Sequence, residues 1–167
     1  MREGHGMESK APGLAAGPDA IDRALLAAVE QDARASYAAL GRRVGLSAPA
    51  VADRLRRLER AGIITGYRAR IDRARLGRGL TAFIRLKLAS RDHAPIDALA
   101  RDLPEILEAH HVTGEEGYLL RVAVASVADL DRLILRLAPH AATASQVVLS
   151  TAVEDKPVAV LPKGDEG

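Results

Sequence analysis

The sequence predicts an α+β chain in two modules, three short helices followed by elements in the order β-α-β-β-α-β. Three observations support this. Apolar residues recur at helical spacing in three runs between Ile21 and Leu58. From Leu80 onward, stretches with strand-like alternation take turns with helical ones. Ser, Pro and Gly stand where helices start and stop.

The elements follow in order. Residues 1–18 are rich in Gly, Ala and Pro without a period and read as a disordered or tag-like leader. A helix-turn-helix module is expected over residues 19–65. Its first helix starts near Asp19, with Ile21, Leu25 and Val29 at i, i+4 and i+8 and Leu26 beside them. The second starts near Ser36, and its Leu40 and Val44 form an apolar stripe. Gly45 falls where that helix must end, because glycine accepts the left-handed conformation that ends helices. Ser47 caps the third helix by accepting a backbone N–H bond. Pro49 lies in its first turn, where a missing N–H costs little. Val51, Leu55 and Leu58 then face the core, which leaves Ala50, Asp53, Arg54 and Arg57 toward solvent or a ligand. Gly62 ends the helix after Ala61. The β-prone run 63–71 predicts a strand or wing, and the polar run 72–79 a connector, so residues 66–79 are read as strand and linker.

The second module is expected over residues 80–155, with 156–167 as a tail. Residues 80–89 alternate through Ile84-Arg85-Leu86-Lys87-Leu88, a half-buried strand. A helix over 94–103 is opened by Pro95 and carries Ile96, Leu99 and Leu103. Strands 106–113 and 118–125 are joined as a hairpin by Gly114-Glu115-Glu116-Gly117. A helix over 127–137 carries Leu130, Leu133, Ile134 and Leu137, and Pro139 stops it. The last strand is placed at 147–153. This order is the ferredoxin-like arrangement, which hosts many functions and decides none.

Composition narrows the classes. Of 167 residues 48% are apolar, but only one Phe and three Tyr are aromatic, so the core must be built from Leu, Ile, Val and Ala. The lack of cysteine excludes disulfides and thiolate metal sites. No apolar run approaches the roughly 18 residues that cross a bilayer, and no signal-peptide region is seen, so a cytoplasmic location without membrane contact is expected. There is no Gly-x-Gly-x-x-Gly or phosphate-loop pattern and no recognisable nucleophile–His–acid set, so neither catalytic residues nor a cofactor are expected. His110 and His111 are adjacent on a strand and point to opposite faces, so they cannot chelate one ion, and no metal is expected. Asp92-His93 reads as a solvated turn before Pro95.

The net charge of +2 conceals an asymmetry. Residues 19–78 hold 13 Arg and no Lys against 7 acids, a net +6, whereas residues 79–167 carry a net −4. The positive charge therefore lies with the helix pair, where it attracts phosphates. Two helices joined by a tight turn, the second studded with arginine, match the geometry that sets a helix in the major groove of duplex DNA. In this reading Arg54 and Arg57 approach the groove, with Ala50 and Asp53 near base edges. Arg42 and Arg43, with Arg56 or Arg60, meet phosphates, and Ser47, Ala48 and Pro49 form the leading turn.

Four stretches together resemble the Lrp/AsnC, or feast/famine, transcriptional regulators. They are Ile21-Asp22-Arg23-Ala24-Leu25-Leu26, the run from Gly45-Leu46-Ser47 through Arg54 to Ile64, His110-His111-Val112-Thr113-Gly114 with Tyr118-Leu119-Leu120, and Val147-Val148-Leu149-Ser150-Thr151. The resemblance implies a homodimer or a larger ring of dimers, an octamer among them, that binds double-stranded DNA. It also implies a small effector, commonly an amino acid, held by a loop matching Val112, Thr113, Gly114, Glu115, Glu116, Gly117 and Tyr118. Backbone N–H groups at Thr113 and Gly114 would hold its carboxylate. The chain departs from the pattern at Gly117, where family members often carry an acid for the effector's amino group; Glu115 or Glu116 is the substitute, or else a solvated hairpin tip. Two other readings stand beside this one. One is an enzyme like the sirohaem decarboxylases, which share this plan but carry a tryptophan that this chain lacks. The other is an effector-binding or assembly module that has lost DNA binding, against which the dense arginines argue.

Overall fold

The computed structural model describes residues 17–88, 90, 92–114 and 117–156. The predicted leader and tail therefore lie almost wholly outside the described residues, as do Glu115 and Glu116. The chain forms two compact units that divide between Ala69 and Arg70, inside the stretch read as a linker.

The first unit holds α1 (Ala20–Gln31), α2 (Tyr37–Val44) and α3 (Ala48–Arg60). Local chemistry starts each helix. Asp19 and Asp22 form a reciprocal capping box, with the Asp22 amide donating to Asp19 Oδ1 at 2.7 Å and the Asp19 amide to Asp22 Oδ2 at 3.2 Å. Ser36 and Ser47 cap α2 and α3 by accepting from the amides of Ala39 and Ala50. Gly45 ends α2 at φ +72°, a left-handed cap that glycine adopts without a Cβ clash. The apolar stripes converge as expected: Leu25, Ala28, Leu40, Val51, Leu55 and Leu58 form one buried cluster. Beyond α3, the amides of Ile63 and Ile64 turn back to the Leu58 carbonyl, closing the helix. Residues 65–71 form no strand, contrary to the expectation of a strand or wing, and the one regular element of the connector is a single 3-10 turn at Ala74–Leu76. Among the described residues of the first unit there is no strand with which the β-prone residues 65–69 could pair, and a strand needs a ladder partner to exist.

The second unit runs β1 (Leu80–Leu88), α4 (Ala94–Asp102), β2 (Ile106–His111), β3 (Tyr118–Val124), α5 (Val127–Leu137) and β4 (Ala141–Val147). The sheet is antiparallel in the order β2-β3-β1-β4, the ferredoxin-like topology. The two-residue period sorts β1 cleanly. Ala82, Ile84 and Leu86 are fully buried, whereas Arg85 and Lys87 point to the other, exposed face. Tyr118, Leu120, Val122 and Val124 of β3 join the same buried face, closed by Ile96, Leu130, Leu133 and Leu137 from the two helices.

The last strand differs from its predicted place at 147–153. It is the segment Ala141–Val147, paired with β1 from Leu88↔Ala141 to Ala82↔Val147. The apolar volume of this region comes from β1, so β4 can be built from Ala, Thr and Ser as long as its backbone completes the ladder. The more apolar stretch that follows is left outside the sheet, with Leu149 97% exposed.

Candidate nucleic-acid interface and effector loop

The outer side of the helix pair is built by α2, its turn and the first two turns of α3. Arg42 and Arg43 close α2 and are exposed, as are Ser47 and Pro49 at the start of α3. Ala48 and Ala50 are half-buried beside them. Asp53 and Arg56 lie exposed one turn on and pair with each other at 2.7 Å, and Arg60 is exposed beyond them. This surface offers guanidinium groups around a leading turn of small side chains, which permits close approach of a polyanion.

Arg54 and Arg57 are placed differently from the sequence expectation. Both guanidinium groups turn inward to Asp22 of α1, the one fully buried charged residue among those described. Arg54 Nη1 donates to Asp22 Oδ1 at 2.8 Å and to Asp19 Oδ2 at 2.6 Å. Arg57 Nη2 donates to both Asp22 oxygens at 2.9 and 2.7 Å. The physical reason is that a carboxylate cut off from water must be paired, and α3 supplies the two nearest cations. The Arg54 bond, seconded by the Asp22 amide, holds the Asp19 carboxyl below the usual carboxylate range, while Asp19 and Asp22 push Arg54 further up. The sequence did carry a signal for this arrangement. Asp22 stands three residues before Leu25, on the stripe that faces the core.

In the second unit the predicted effector loop closes the β2–β3 hairpin. The Val112 amide donates to the Gly117 carbonyl at 3.1 Å, with Thr113 and Gly114 exposed at the tip. Tyr118, at the foot of the loop, is buried, and its hydroxyl donates to Asp97 Oδ1 of α4 at 2.7 Å. Burial and the Asp97 carboxylate together push the Tyr118 phenol up to about 12, so it stays a hydrogen-bond donor at any physiological pH. Gly117 packs against Leu88, and an added Cβ would stand 3.1 and 3.2 Å from the Leu88 Cγ and Cδ1.

Two motifs that sequence reasoning dismissed separately meet beneath this loop. The His93 ring lies 4.3 Å from the His111 ring, and His111 stacks on Tyr118 at 5.3 Å between centroids. His110 points to the opposite face, where its Nε2 lies 3.3 Å from Glu108. Arg121 also donates to Glu108 and is the main cause holding that carboxyl below its usual range. Among the described residues no group of three or more acidic or histidine side chains is arranged to hold a metal ion.

The comparisons with known proteins match both units. The AsnC-type helix-turn-helix domain matches residues 19–59, and the Lrp/AsnC ligand binding domain matches residues 81–158. The chain belongs to the Lrp/AsnC family. The HTH-type transcriptional regulator LrpA of Mycobacterium tuberculosis is 38% identical over 142 residues, covering 83% of this chain and 94% of its own length. Among solved structures, Bacillus subtilis LrpC superposes with a TM-score of 0.78 at 28% identity, over 83% of this chain and 98% of that one. A feast or famine regulatory protein of M. tuberculosis, complexed with L-methionine, superposes with a TM-score of 0.77 at 36% identity, over 84% and 98%. This Lrp/AsnC chain is thus a transcriptional regulator with a helix-turn-helix and a ligand-binding domain. No helix among the described residues is long and apolar enough to cross a membrane.

Proposed function

We propose that this regulator works in the cytoplasm as a dimer or larger assembly, and that it reads specific duplex DNA through the outer face of α3. The observation that carries the reading is the exposed pair Arg42 and Arg43 beside the leading turn of small residues, in which Ser47 and Pro49 are exposed and Ala48 and Ala50 half-buried. The two arginines contact phosphates, and Ala50 and Asp53 lie at base edges. Arg54 and Arg57, committed to Asp22, support the helix that does the reading. Phosphate neutralisation releases counterions, so binding weakens with salt at a slope set by the number of contacts. Replacing Arg42 and Arg43 together by alanine is expected to make that slope shallower by roughly 2 and to weaken all duplexes alike. Fluorescence anisotropy over a salt series measures it, and an unchanged slope would remove both residues from the interface.

The second half of the proposal is an amino-acid effector at the loop Val112 to Tyr118, supported by the ligand-binding domain match and by the relative solved with L-methionine. Backbone N–H groups of Thr113 and Gly114 hold the carboxylate, and the rigid Tyr118–Asp97 bond fixes the foot of the loop. Gly117 gives the amino group no charged partner of its own. Replacing Gly117 by aspartate adds one, and the Leu88 side chain needs to yield by only a few tenths of an ångström. A charge-assisted hydrogen bond is worth about 1.5–3 kcal/mol, so isothermal titration should find the best-bound L-amino acid at least about tenfold tighter in Gly117→Asp. Absence of heat with every amino acid, in both proteins, would count against sensing at this loop.

A further inference from the structure

We infer that Asp22 is the positioning residue of the DNA-reading helix: it fixes the rotation of α3 about its own axis, and with it which side chains meet the bases. The inference rests on the reading that α3 binds DNA. Apolar packing of Val51, Leu55 and Leu58 brings α3 to the unit's core, but such packing is non-directional and tolerates small rotations. The Asp22 carboxylate is directional. It is 0% exposed, and both of its oxygens are filled, Oδ1 by Arg54 and Arg57 and Oδ2 by Arg57 and the Asp19 amide.

Arg54 and Arg57 are three residues apart, so their guanidinium groups leave α3 on one side and converge on one point of α1. A rotation of α3 large enough to change the exposed face would break both pairs and strand a buried charge. Asp22 is itself held by the capping box, so its oxygens have little freedom to follow. The outward set Pro49, Ala50, Asp53, Arg56 and Arg60 is thereby fixed from the inside.

A charge count separates this role from direct contact. Asp19, Asp22, Arg54 and Arg57 form a cluster with two charges of each sign, joined by bonds of 2.6 to 2.9 Å. These two arginines are already neutralised and release no counterions when DNA binds. They therefore contribute to discrimination between sequences and not to the salt slope.

The test uses the full chain, a duplex recovered from the genomic fragments it retains, and a scrambled duplex of equal length, by anisotropy over a salt series. In Asp22→Asn the preference for the recovered duplex should fall about tenfold or more; the lost carboxylate charge leaves the cluster one positive charge in excess, so both slopes steepen by at most about one, equally on the two duplexes. Because that variant can lose stability, a second one carries Asp22→Leu with Arg57→Met, and leaves Arg54 to Asp19. Replacing a buried ion pair by apolar groups commonly preserves stability, so this variant should melt near the wild type and still lose the preference. If it folds and keeps the wild-type preference, Asp22 is a stabilising residue only and the inference falls. It falls equally if that double variant, whose cluster stays neutral, makes the slope shallower by about one on both duplexes, because Arg57 would then touch a phosphate. A wild-type chain that binds neither duplex would instead sink the DNA-binding reading itself.

Discussion

Replacing Gly41 by alanine is expected to unfold the helix-turn-helix unit under conditions where the wild type is folded. Helix propensity alone argues the reverse. Gly41 lies inside α2, where alanine should be about 1 kcal/mol better than glycine. Space decides against it. A Cβ at residue 41 would stand 2.3 Å from the Leu46 carbonyl oxygen and 3.3 Å from its carbon. Those are backbone atoms, so no rotamer change relieves the clash. They are also held where they are, because the Leu46 amide donates to the Gly41 carbonyl at 2.9 Å to close the turn between α2 and α3. Relief requires opening that turn and displacing α3.

Overpacking a core with one methyl costs about 1–3 kcal/mol when side chains can move, and a backbone clash stands at or above the top of that range. A unit of this size has a total stability of only about 3–8 kcal/mol. Circular dichroism should therefore show the unit's melting transition falling by more than about 10 °C, with DNA affinity lost in parallel. Gly45 four residues on is the control. It sits at φ +72° with nothing within 4 Å of its Cβ position, so Gly45→Ala meets only the left-handed penalty of about 1–2 kcal/mol. A Gly41→Ala protein that melts at or above the wild-type temperature would show that the turn is not packed this way.

The contrast between these two glycines indicates what the sequence makes legible. Gly45 was readable because its role is local: it ends a helix, and Ser47 starts the next two residues later. The same holds for α1, α2 and α3, whose caps and stripes lie within a few residues of one another, and for α5, found at Val127–Leu137 where Leu130, Leu133 and Leu137 put it. Gly41 was not readable, because its constraint comes from a carbonyl that only the folded turn brings near. The pairing of Arg54 and Arg57 with Asp22 was hidden for the same reason, since that partner lies 32 and 35 residues earlier in the chain. The tilted ring contact between His93 and His111 joins residues that sequence distance keeps apart. β4 was misplaced because its residues carry almost no apolar signal, and register with β1, a tertiary property, decides where it lies. The exposed arginines Arg42 and Arg43 needed no tertiary knowledge and stand where the turn chemistry put them.

Leu120→Ala should have the largest effect on the second unit. Leu120 lies near the middle of β3, one of the two inner strands, and is fully buried, paired with Ile84 on one side and Ala109 on the other. A Leu→Ala change in a core costs about 2–5 kcal/mol, more where neighbours cannot move into the space. Here they cannot. Both flanking strands are tied to β3 by backbone ladders, and Ala109 is too small to fill the gap. The upper half of the range follows, and with an unfolding entropy of about 2 cal/mol/K per residue the unit's Tm should fall by roughly 20–30 °C. The adjacent Leu119→Ala provides the comparison, since the two-residue period turns Leu119 to the opposite face, where it is only partly buried. It should cost the second unit much less. If calorimetry finds the two variants equally destabilised, the faces of β3 are not assigned correctly. A one-residue slip in register would then exchange the buried and exposed sets along the whole strand and move Tyr118 off Asp97.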